Sequence, residues 1–199
     1  MADWREEALR DHLQRSREAL MRACEDRAFT ASILAIADAM TSALRNGGKV
    51  LLAGNGGSAA DAQHIAAELV VRLKLNRDAL PAIALTTDSS VLTAIGNDFG
   101  FDHLFERQVR ALGRQGDILI AISTSGRSAN ILKALAAARE LHVTTIGFTG
   151  CGDGLKDLCD LMLAAPADRT DLIQQIHITA AHAICDIVER ALFGHPTGP

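Results

Sequence analysis

Apolar residues along this chain form short continuous runs, separated by longer stretches in which they recur with helical spacing. The runs predict five strands, and the stretches predict helices. The predicted strands are residues 49–54, 81–86, 117–123, 143–149 and 161–166. The predicted helical segments are 3–46, 58–75, 89–113 (interrupted at 96–100), 128–141 and 170–193. Strands that alternate with helices predict an α/β fold: a three-layer sandwich in which a five-stranded parallel sheet is flanked by helices.

The loop after the first predicted strand is rich in glycine. Residues 54–58 have the sequence Gly-Asn-Gly-Gly-Ser. Glycines permit positive φ angles and a close approach of the backbone to a ligand. The alternative interpretation is a tight turn between a strand and a helix. Ligands of parallel α/β sheets bind beyond the carboxyl ends of the strands, which favours binding if a second suitable loop lies at this edge.

The loop after the third predicted strand is such a loop. Residues 122–128 have the sequence Ile-Ser-Thr-Ser-Gly-Arg-Ser and lead into a predicted helix. Free backbone N–H groups and the positive end of the helix dipole meet at a helix N-terminus, which suits an anion such as phosphate. No Gly-Lys-Ser/Thr follows, as a nucleotide-binding P-loop would require. The loop therefore predicts a phosphorylated ligand.

The predicted helix 58–75 carries one polar stripe on an otherwise apolar surface. At 100° per residue, Asp61, His64, Glu68 and Arg72 lie on this stripe. A helix that is apolar almost all round is expected to be buried, so the stripe is not expected to be a solvated face. His64 and Glu68 are four residues apart and could share a metal ion or a proton. The alternative is an ordinary ion pair within the helix.

The last predicted helix has a similar polar arc, formed by Gln174, His177 and His182. The alternative for His182 is a core histidine that bonds a backbone carbonyl group. Asp171 and Gln174 have the spacing of a capping box, in which the glutamine bonds a backbone N–H group. Asp171 could also be no more than a favourable charge in the first turn.

The pair Asn97-Asp98 lies in a predicted break between Gly96 and Gly100. Such a pair is typical of turns. Asp98 could also accept hydrogen bonds from sugar hydroxyl groups. The residues alone leave both interpretations open.

Composition narrows the class of protein. The 199 residues suit a single domain, 1–199, and 48% of them are hydrophobic. The net charge of −4, an isoelectric point near 5.9 and the absence of tyrosine argue against a nucleic-acid-binding surface. No apolar run reaches membrane-spanning length, and the first residues do not resemble a signal peptide. The four cysteines lack metal-binding spacing. We therefore expect a cytoplasmic protein that binds neither nucleic acid nor membrane.

Together these motifs resemble the phosphoheptose isomerase family of SIS (sugar isomerase) domains. The resemblance covers about residues 30–193. It rests on residues 53–58, 61–64, Glu68, 96–101, 122–126, Ser128, 173–177 and His182. It implies a flavodoxin-like SIS fold, with the helical segment 3–46 at the N-terminus, and a homotetramer with active sites between subunits.

The resemblance also implies roles for individual residues. The catalytic base and acid would be Glu68 and His182. The ligands of a zinc ion would be His64, Glu68, Gln174 and His182. The substrate-binding residues would be Asn55, Gly56, Gly57, Ser58, Glu68, Arg72, Asn97, Asp98, Ser123, Thr124, Ser125, Ser128, Asp171 and Gln174. Arg127 departs from the family, which usually has a small polar residue there, and adds a positive charge beside the phosphate.

The implied reaction converts D-sedoheptulose 7-phosphate to D-glycero-D-manno-heptose 7-phosphate, a precursor of lipopolysaccharide or related glycans. One proton moves between C1 and C2 and another between the oxygens, through an enediol. A carboxylate would move the carbon proton, an acid would protonate the oxygen, and zinc would polarise the carbonyl group. A near relative of the family instead binds the bacterial replication initiator protein. That relative lacks the full His/Glu/His set, so the set in this chain favours the enzyme.

Overall fold

A computed structural model describes residues 3–152 and 154–194 of the chain. The strands are β1 (Val50–Gly54), β2 (Ala82–Ala84), β3 (Ile118–Ile122), β4 (Thr144–Thr149) and β5 (Leu161–Ala164). The α-helices in the described residues are α1 (Trp4–Glu25), α2 (Arg27–Arg45), α3 (Gly57–Val70), α4 (Ser89–Asp98), α5 (Leu104–Leu112), α6 (Ala129–Glu140) and α7 (Thr170–Phe193). The strands form one sheet in the order β2-β1-β3-β4-β5, and every pair is parallel. The predicted five-stranded parallel sheet is confirmed.

The sheet separates two apolar cores, which makes the fold a three-layer sandwich. Successive side chains of a strand point to opposite faces. Leu52 and Ile120 therefore join a core formed with α2, α3 and α7. Leu51 and Leu119 join the other core, formed with α4, α5 and α6. Because β1 and β3 are buried on both faces, their sequences are continuous apolar runs.

The predicted helical segment 3–46 consists of two helices that meet at Asp26. The backbone N–H of Asp26 donates to the carbonyl of Arg22 and ends α1. Its carboxylate accepts hydrogen bonds from the N–H groups of Ala28 and Phe29 and begins α2. An aspartate that caps a helix in this way satisfies N–H groups that the helix leaves free. Within the described residues, no helix combines the length and the hydropathy that a membrane span needs.

Helix α3 ends at Val70, five residues before its predicted end. The backbone N–H groups of residues 73–75 donate to the carboxylate of Glu189 instead of to helical carbonyls. The guanidinium group of Arg77 donates hydrogen bonds to two backbone carbonyl groups of the last helical turn, those of Glu68 and Leu69. The prediction for Arg72 as a member of a helical stripe is therefore wrong, because Arg72 lies beyond the helix and is exposed.

Helix α4 extends through the predicted break and includes Asn97 and Asp98 as its last residues. The N–H of Phe99 still donates to the carbonyl of Ile95 at 2.9 Å, so the helical pattern continues across Gly96. The chain turns only at Gly100, where φ is +88°. The prediction that the helix is interrupted from residue 96 is wrong by three residues.

Candidate active site

The two loops that the sequence predicts as binding loops start side by side. Gly54, the last residue of β1, pairs with Ile122, the last residue of β3. From this pair the chain order runs outward in both directions, to β2 on one side and to β4 and β5 on the other. Open parallel sheets bind their ligands at such a switch point. The sheet therefore places both loops where a ligand is expected.

The hydroxyl-rich loop forms a compact turn at the start of α6. The Oγ atoms of Ser123 and Ser128 lie 3.2 Å apart, and the N–H of Gly126 donates to the carbonyl of Ser123. Gly126 has φ of +65°, which favours glycine. Ser128 stands at the N-cap position, but its hydroxyl does not cap α6. Among the described residues, no side chain bonds the first N–H groups of the helix, which suits an anion site.

A cavity of about 600 Å³ opens beside this loop. It is lined by Thr124, Ser125 and Arg127 of this loop, together with Cys151, Asp168 and Thr170. Among the described residues, none forms an ion pair with Arg127. The guanidinium group therefore adds positive charge to a cavity that already offers hydroxyl groups.

The glycine-rich loop brings its backbone close to α7. Gly56 has φ of +57°. A methyl group added at Gly57 would lie 2.5 Å from Nε2 of Gln174, so a larger residue would displace this amide. Ser58 is buried in the first turn of α3, and its N–H donates to the carbonyl of Asn55.

Asn55 is held by a residue that sequence analysis missed. Its side-chain amide exchanges two hydrogen bonds of 2.9 Å with the amide of Asn130, and Asn130 is 2% exposed. A buried polar group is normally paired, and this pair satisfies both residues across the two loops. A signal for Asn130 was available, since it is the one polar residue among the first four residues of α6, 129–132.

Three predicted functional side chains converge on the adjacent faces of α3 and α7. Nε2 of His64 lies 3.0 Å from Oε1 of Glu68 and 3.2 Å from Nε2 of His182. Nε2 of His182 lies 3.7 Å from the same Oε1. The interpretation of His64 and Glu68 as an isolated ion pair therefore does not describe this site, because a third donor atom from another helix joins them.

This cluster fits a metal ion. Its three donor atoms lie within 4.8 Å of one another. Two ligands of a tetrahedral zinc ion, each about 2.05 Å from the metal, lie about 3.3 Å apart. The observed separations of 3.0, 3.2 and 3.7 Å are close to that value. Imidazole nitrogen and carboxylate oxygen are also ligand atoms that zinc accepts.

Gln174 does not join the cluster within one chain. Its amide lies against Gly57, near the start of α3. It precedes His182 by eight residues, which correspond to about 12 Å along an α-helix. Within the described residues of one chain, three of the four predicted ligands therefore meet at the cluster.

The cluster lies at the surface of a single chain. The side chains of His64 and His182 are 47% and 40% exposed, and that of Glu68 is 18% exposed. The expectation that the polar stripe of α3 is not a solvated face therefore holds for Asp61 and Glu68, which are partly buried, and is wrong for His64 in one chain. The inner face of α3 is buried, but Val70 at its end is exposed. The sheet and α7 cover only one side of this helix.

The remaining predicted site residues lie apart from the cluster. Asn97 and Asp98 bond each other at the end of α4, in the helical layer on the opposite face of the sheet. Asp171 accepts two hydrogen bonds from Arg169, which hold the pKa of its carboxyl below the usual range. No hydrogen bond among the described residues links these side chains to the cluster.

The buried histidine of α7 is His177 rather than His182. His177 is 1% exposed, and its Nε2–H donates to the carbonyl of Thr149 at 3.0 Å. The core-histidine interpretation therefore applies to His177. On α3, burial raises the pKa of Asp61, and the nearby His64 only partly offsets this effect.

Both the sequence and the fold match known proteins. The model of the SIS domain family matches residues 12–150. The chain is 60% identical over 193 residues to the phosphoheptose isomerase of Bradyrhizobium sp. (strain ORS 278), a match that covers 96% of this chain and 98% of the relative. The phosphoheptose isomerase structure from Neisseria gonorrhoeae has a TM-score of 0.84 and 46% identity, covering 92% of this chain and 98% of that one. The structure from Francisella tularensis has a TM-score of 0.88 and 40% identity, covering 92% and 97%.

Proposed function

This chain belongs to the phosphoheptose isomerase family of SIS domain proteins, and from that premise we propose that it interconverts D-sedoheptulose 7-phosphate and D-glycero-D-manno-heptose 7-phosphate. The observation that carries this proposal is the convergence of His64, Glu68 and His182 from two helices. The relatives support the isomerase over the alternative of a protein that binds the replication initiator. We expect the enzyme to act in the cytoplasm, where it would supply heptose for lipopolysaccharide or related glycans.

Glu68 and His182 have the chemistry that an aldose–ketose isomerase needs. A carboxylate can carry a proton between C1 and C2, and an imidazole can exchange a proton with the sugar oxygens. Oε1 of Glu68 faces the two imidazole rings. Among the described residues, Oε2 of Glu68 has no hydrogen-bond partner. Oε2 is therefore the oxygen that we assign to the carbon-bound proton, which lets one carboxylate serve two roles.

We further propose that His64, Glu68 and His182 hold a zinc ion. The donor set and its separations, given above, support this assignment. Zinc bound there would supply Lewis acidity to the sugar carbonyl group. His64 would then serve only to hold the ion, while Oε2 of Glu68 and Nδ1 of His182 would stay off the ion and could exchange the two protons.

The phosphate of the substrate is assigned to the loop of Ser123, Thr124, Ser125 and Ser128. The uncapped start of α6 and the cavity beside Arg127 support this assignment. Hydrogen bonds and positive charge at the phosphate would hold that end of the substrate and so orient the rest of the sugar chain. Binding energy far from the reacting carbons is used in this way to orient a substrate.

Replacing the base tests the function directly. Wild-type protein is incubated with D-sedoheptulose 7-phosphate, and formation of the aldose is followed by NMR. Glu68→Gln should lower turnover on the order of 10²-fold or more, because it removes the proton acceptor. Glu106→Gln is the matched control, since Glu106 is also 18% exposed and also contacts a nearby histidine, His103, which lies three residues before it. Wild-type turnover in Glu68→Gln, or no aldose from the wild-type protein, would refute the proposal.

We also propose that the enzyme is a homotetramer with sites shared between subunits. Large apolar side chains exposed on one chain support an assembly, among them Trp4 (74%), Val71 (66%) and Phe101 (61%). Asn97 and Asp98 lie on the face opposite the cluster, so another copy would have to bring them to it. Light scattering should show a tetramer, or a dimer at the least.

Mixed assemblies test whether sites are shared. Glu68→Gln and Asp98→Asn subunits are co-assembled after each is shown to be inactive alone. Activity should reappear, because some sites then combine an intact Glu68 with an intact Asp98 from another chain. A mixture of Glu68→Gln with His182→Ala is the control that should stay inactive, since these two residues meet within one chain. A fully active monomer would contradict both the assembly and the shared site.

A further inference from the structure

A buried ion pair lies directly beyond the end of α3. Nε of Arg77 donates to Oε1 of Glu189 at 3.0 Å, and the two side chains are 1% and 0% exposed. The same carboxylate accepts the backbone N–H groups of residues 73–75. Four donors thus surround Glu189. Burial raises the pKa of this carboxyl, but the three N–H groups and the Arg77 charge outweigh burial and leave the pKa below its usual value.

Arg77 also holds the end of the helix that carries Glu68. Its Nη2 donates to the carbonyl of Glu68 and its Nη1 to the carbonyl of Leu69, both at 2.8 Å. The last carbonyls of a helix have no helical partner, and a positive group there also suits the helix dipole. The guanidinium therefore caps α3 at the residue whose side chain belongs to the cluster.

Glu189 connects this cap to α7, the helix that carries His182. It lies on α7, seven residues after His182, which is two helical turns. Helices α3 and α7 run parallel, because Gly57 meets Gln174, Glu68 meets His182, and the segment after α3 meets Glu189. The ion pair is thus the last of three contacts in order along the two helices. Through this ion pair, the end of α3 is fixed in position relative to α7.

A buried ion pair is weak evidence for stability as such. Removing two charges from water costs free energy that their attraction does not always repay, and apolar pairs can replace them. This pair does something that apolar residues could not do, since each of its seven hydrogen bonds joins a particular backbone or side-chain atom. Such contacts fix the position of the end of α3, whereas apolar contacts would only bury it.

We propose that Arg77 and Glu189 are positioning residues, which hold Glu68 at the distance from His182 that metal binding and proton transfer require. The turnover part of this inference rests on the proposed function. The metal-binding part does not, because affinity for zinc can be measured without any sugar. Outer residues that orient ligands in this way typically change metal affinity 10- to 100-fold when altered.

Two conservative substitutions test the pair. Arg77→Lys keeps the charge but replaces the three separate guanidinium nitrogens, which bond Glu189 and two carbonyls, by one ammonium nitrogen. Glu189→Gln keeps the shape but turns an amide N–H₂ toward backbone donors. Asp186→Asn is the matched control, because Asp186 is one turn from Glu189 on α7 and pairs with Lys74 and Arg190 near the surface.

Four quantities are measured on the full-length proteins: zinc affinity by competition with a chromophoric chelator, kcat, inhibition by inorganic phosphate, and the melting temperature. Well below melting, Arg77→Lys and Glu189→Gln should bind zinc about 10-fold more weakly or worse. Their kcat at saturating zinc should fall at least about 10-fold, since small displacements of reacting groups are costly. Inhibition by phosphate should stay within about twofold, because the loop at α6 is untouched. Asp186→Asn should resemble the wild type in all four.

The outcomes separate positioning from mere stabilisation. Folded Arg77→Lys and Glu189→Gln with wild-type zinc affinity and kcat would overturn the proposal. So would unfolding of both variants under conditions in which Asp186→Asn stays folded, because the pair would then be a folding element only. If the wild type binds zinc but does not isomerise the sugar, the proposed function fails, and zinc affinity alone decides the role of the pair.

Discussion

Lowering the pH should destabilise this protein through His177. This side chain is buried on α7 beneath the end of β4, and its Nε2–H donates to the carbonyl of Thr149. Nδ1 is also buried and has no partner among the described residues. Burial lowers the pKa of His177 to about 4, although the hydrogen bond to Thr149 acts in the opposite direction. The folded protein therefore holds a neutral imidazole.

The magnitude follows from the two pKa values. A histidine in the unfolded chain titrates near 6.5, and the folded one near 4. Above pH 6.5 neither state binds the proton, so the contribution to the free energy of unfolding is constant. Between these values only the unfolded state binds it, so unfolding becomes more favourable as the pH falls. At about 1.4 kcal/mol per pKa unit, this group alone costs roughly 2 kcal/mol by pH 5 and roughly 3 kcal/mol by pH 4.

Urea unfolding at pH 7.5 and pH 5.0, at one protein concentration, measures this effect. His177→Gln removes the titration but keeps an N–H₂ group that can donate to Thr149. The loss of stability between the two pH values should be about 2 kcal/mol smaller in this variant than in the wild type. His12→Gln, at an exposed position, should lose as much as the wild type. Equal losses in wild type and His177→Gln would refute the reasoning.

Two further substitutions probe the loops. Replacing Ser123 and Ser125 by alanine should raise KM about tenfold or more, with a smaller loss in kcat, because each hydroxyl would bond a charged phosphate. Steady-state kinetics check this, and equal KM values for wild type and variant would contradict the phosphate assignment. Asn130→Ala should raise KM several-fold and destabilise the fold by about 1–3 kcal/mol, since it leaves the amide of Asn55 without its two hydrogen bonds. Kinetics and thermal unfolding measure both effects, and an unchanged KM would show that Asn55 needs no such partner.

The sheet and its binding edge could be predicted from the sequence, because their signals are local. Strands buried on both faces must be apolar throughout, which is what β1 and β3 show. The glycine and hydroxyl loops follow those strands directly, so the prediction of the strands also located the loops. The pairing of His64 with Glu68 needed only the helical spacing of four residues.

Features that depend on distant residues could not be predicted in this way. The end of α3 is decided by Glu189, which lies 116 residues after Leu73. The apolar periodicity of residues 58–75 therefore could not indicate that the carboxylate of Glu189 ends the helix early. The partner of Asn55 is 75 residues away for the same reason. At the end of α3, hydrogen bonds to a distant side chain replace the helical ones that local propensity favours.

The exposure of the cluster connects the chemistry to the assembly. Proton transfer at carbon works best in a site that excludes water, because electrostatic interactions between catalytic groups and substrate are stronger there. In one chain, His64 and His182 are nearly half exposed. The exposed face of α3, which includes His64, ends at Val70, and Val71 follows directly after the helix; both valines are exposed and apolar. A second copy that covers this face would exclude water from the cluster and would also bury the two exposed valines. The isomerase proposal therefore favours the assembly proposal, and a monomer that turns over sugar at full rate would mean that Glu68 needs no such cover.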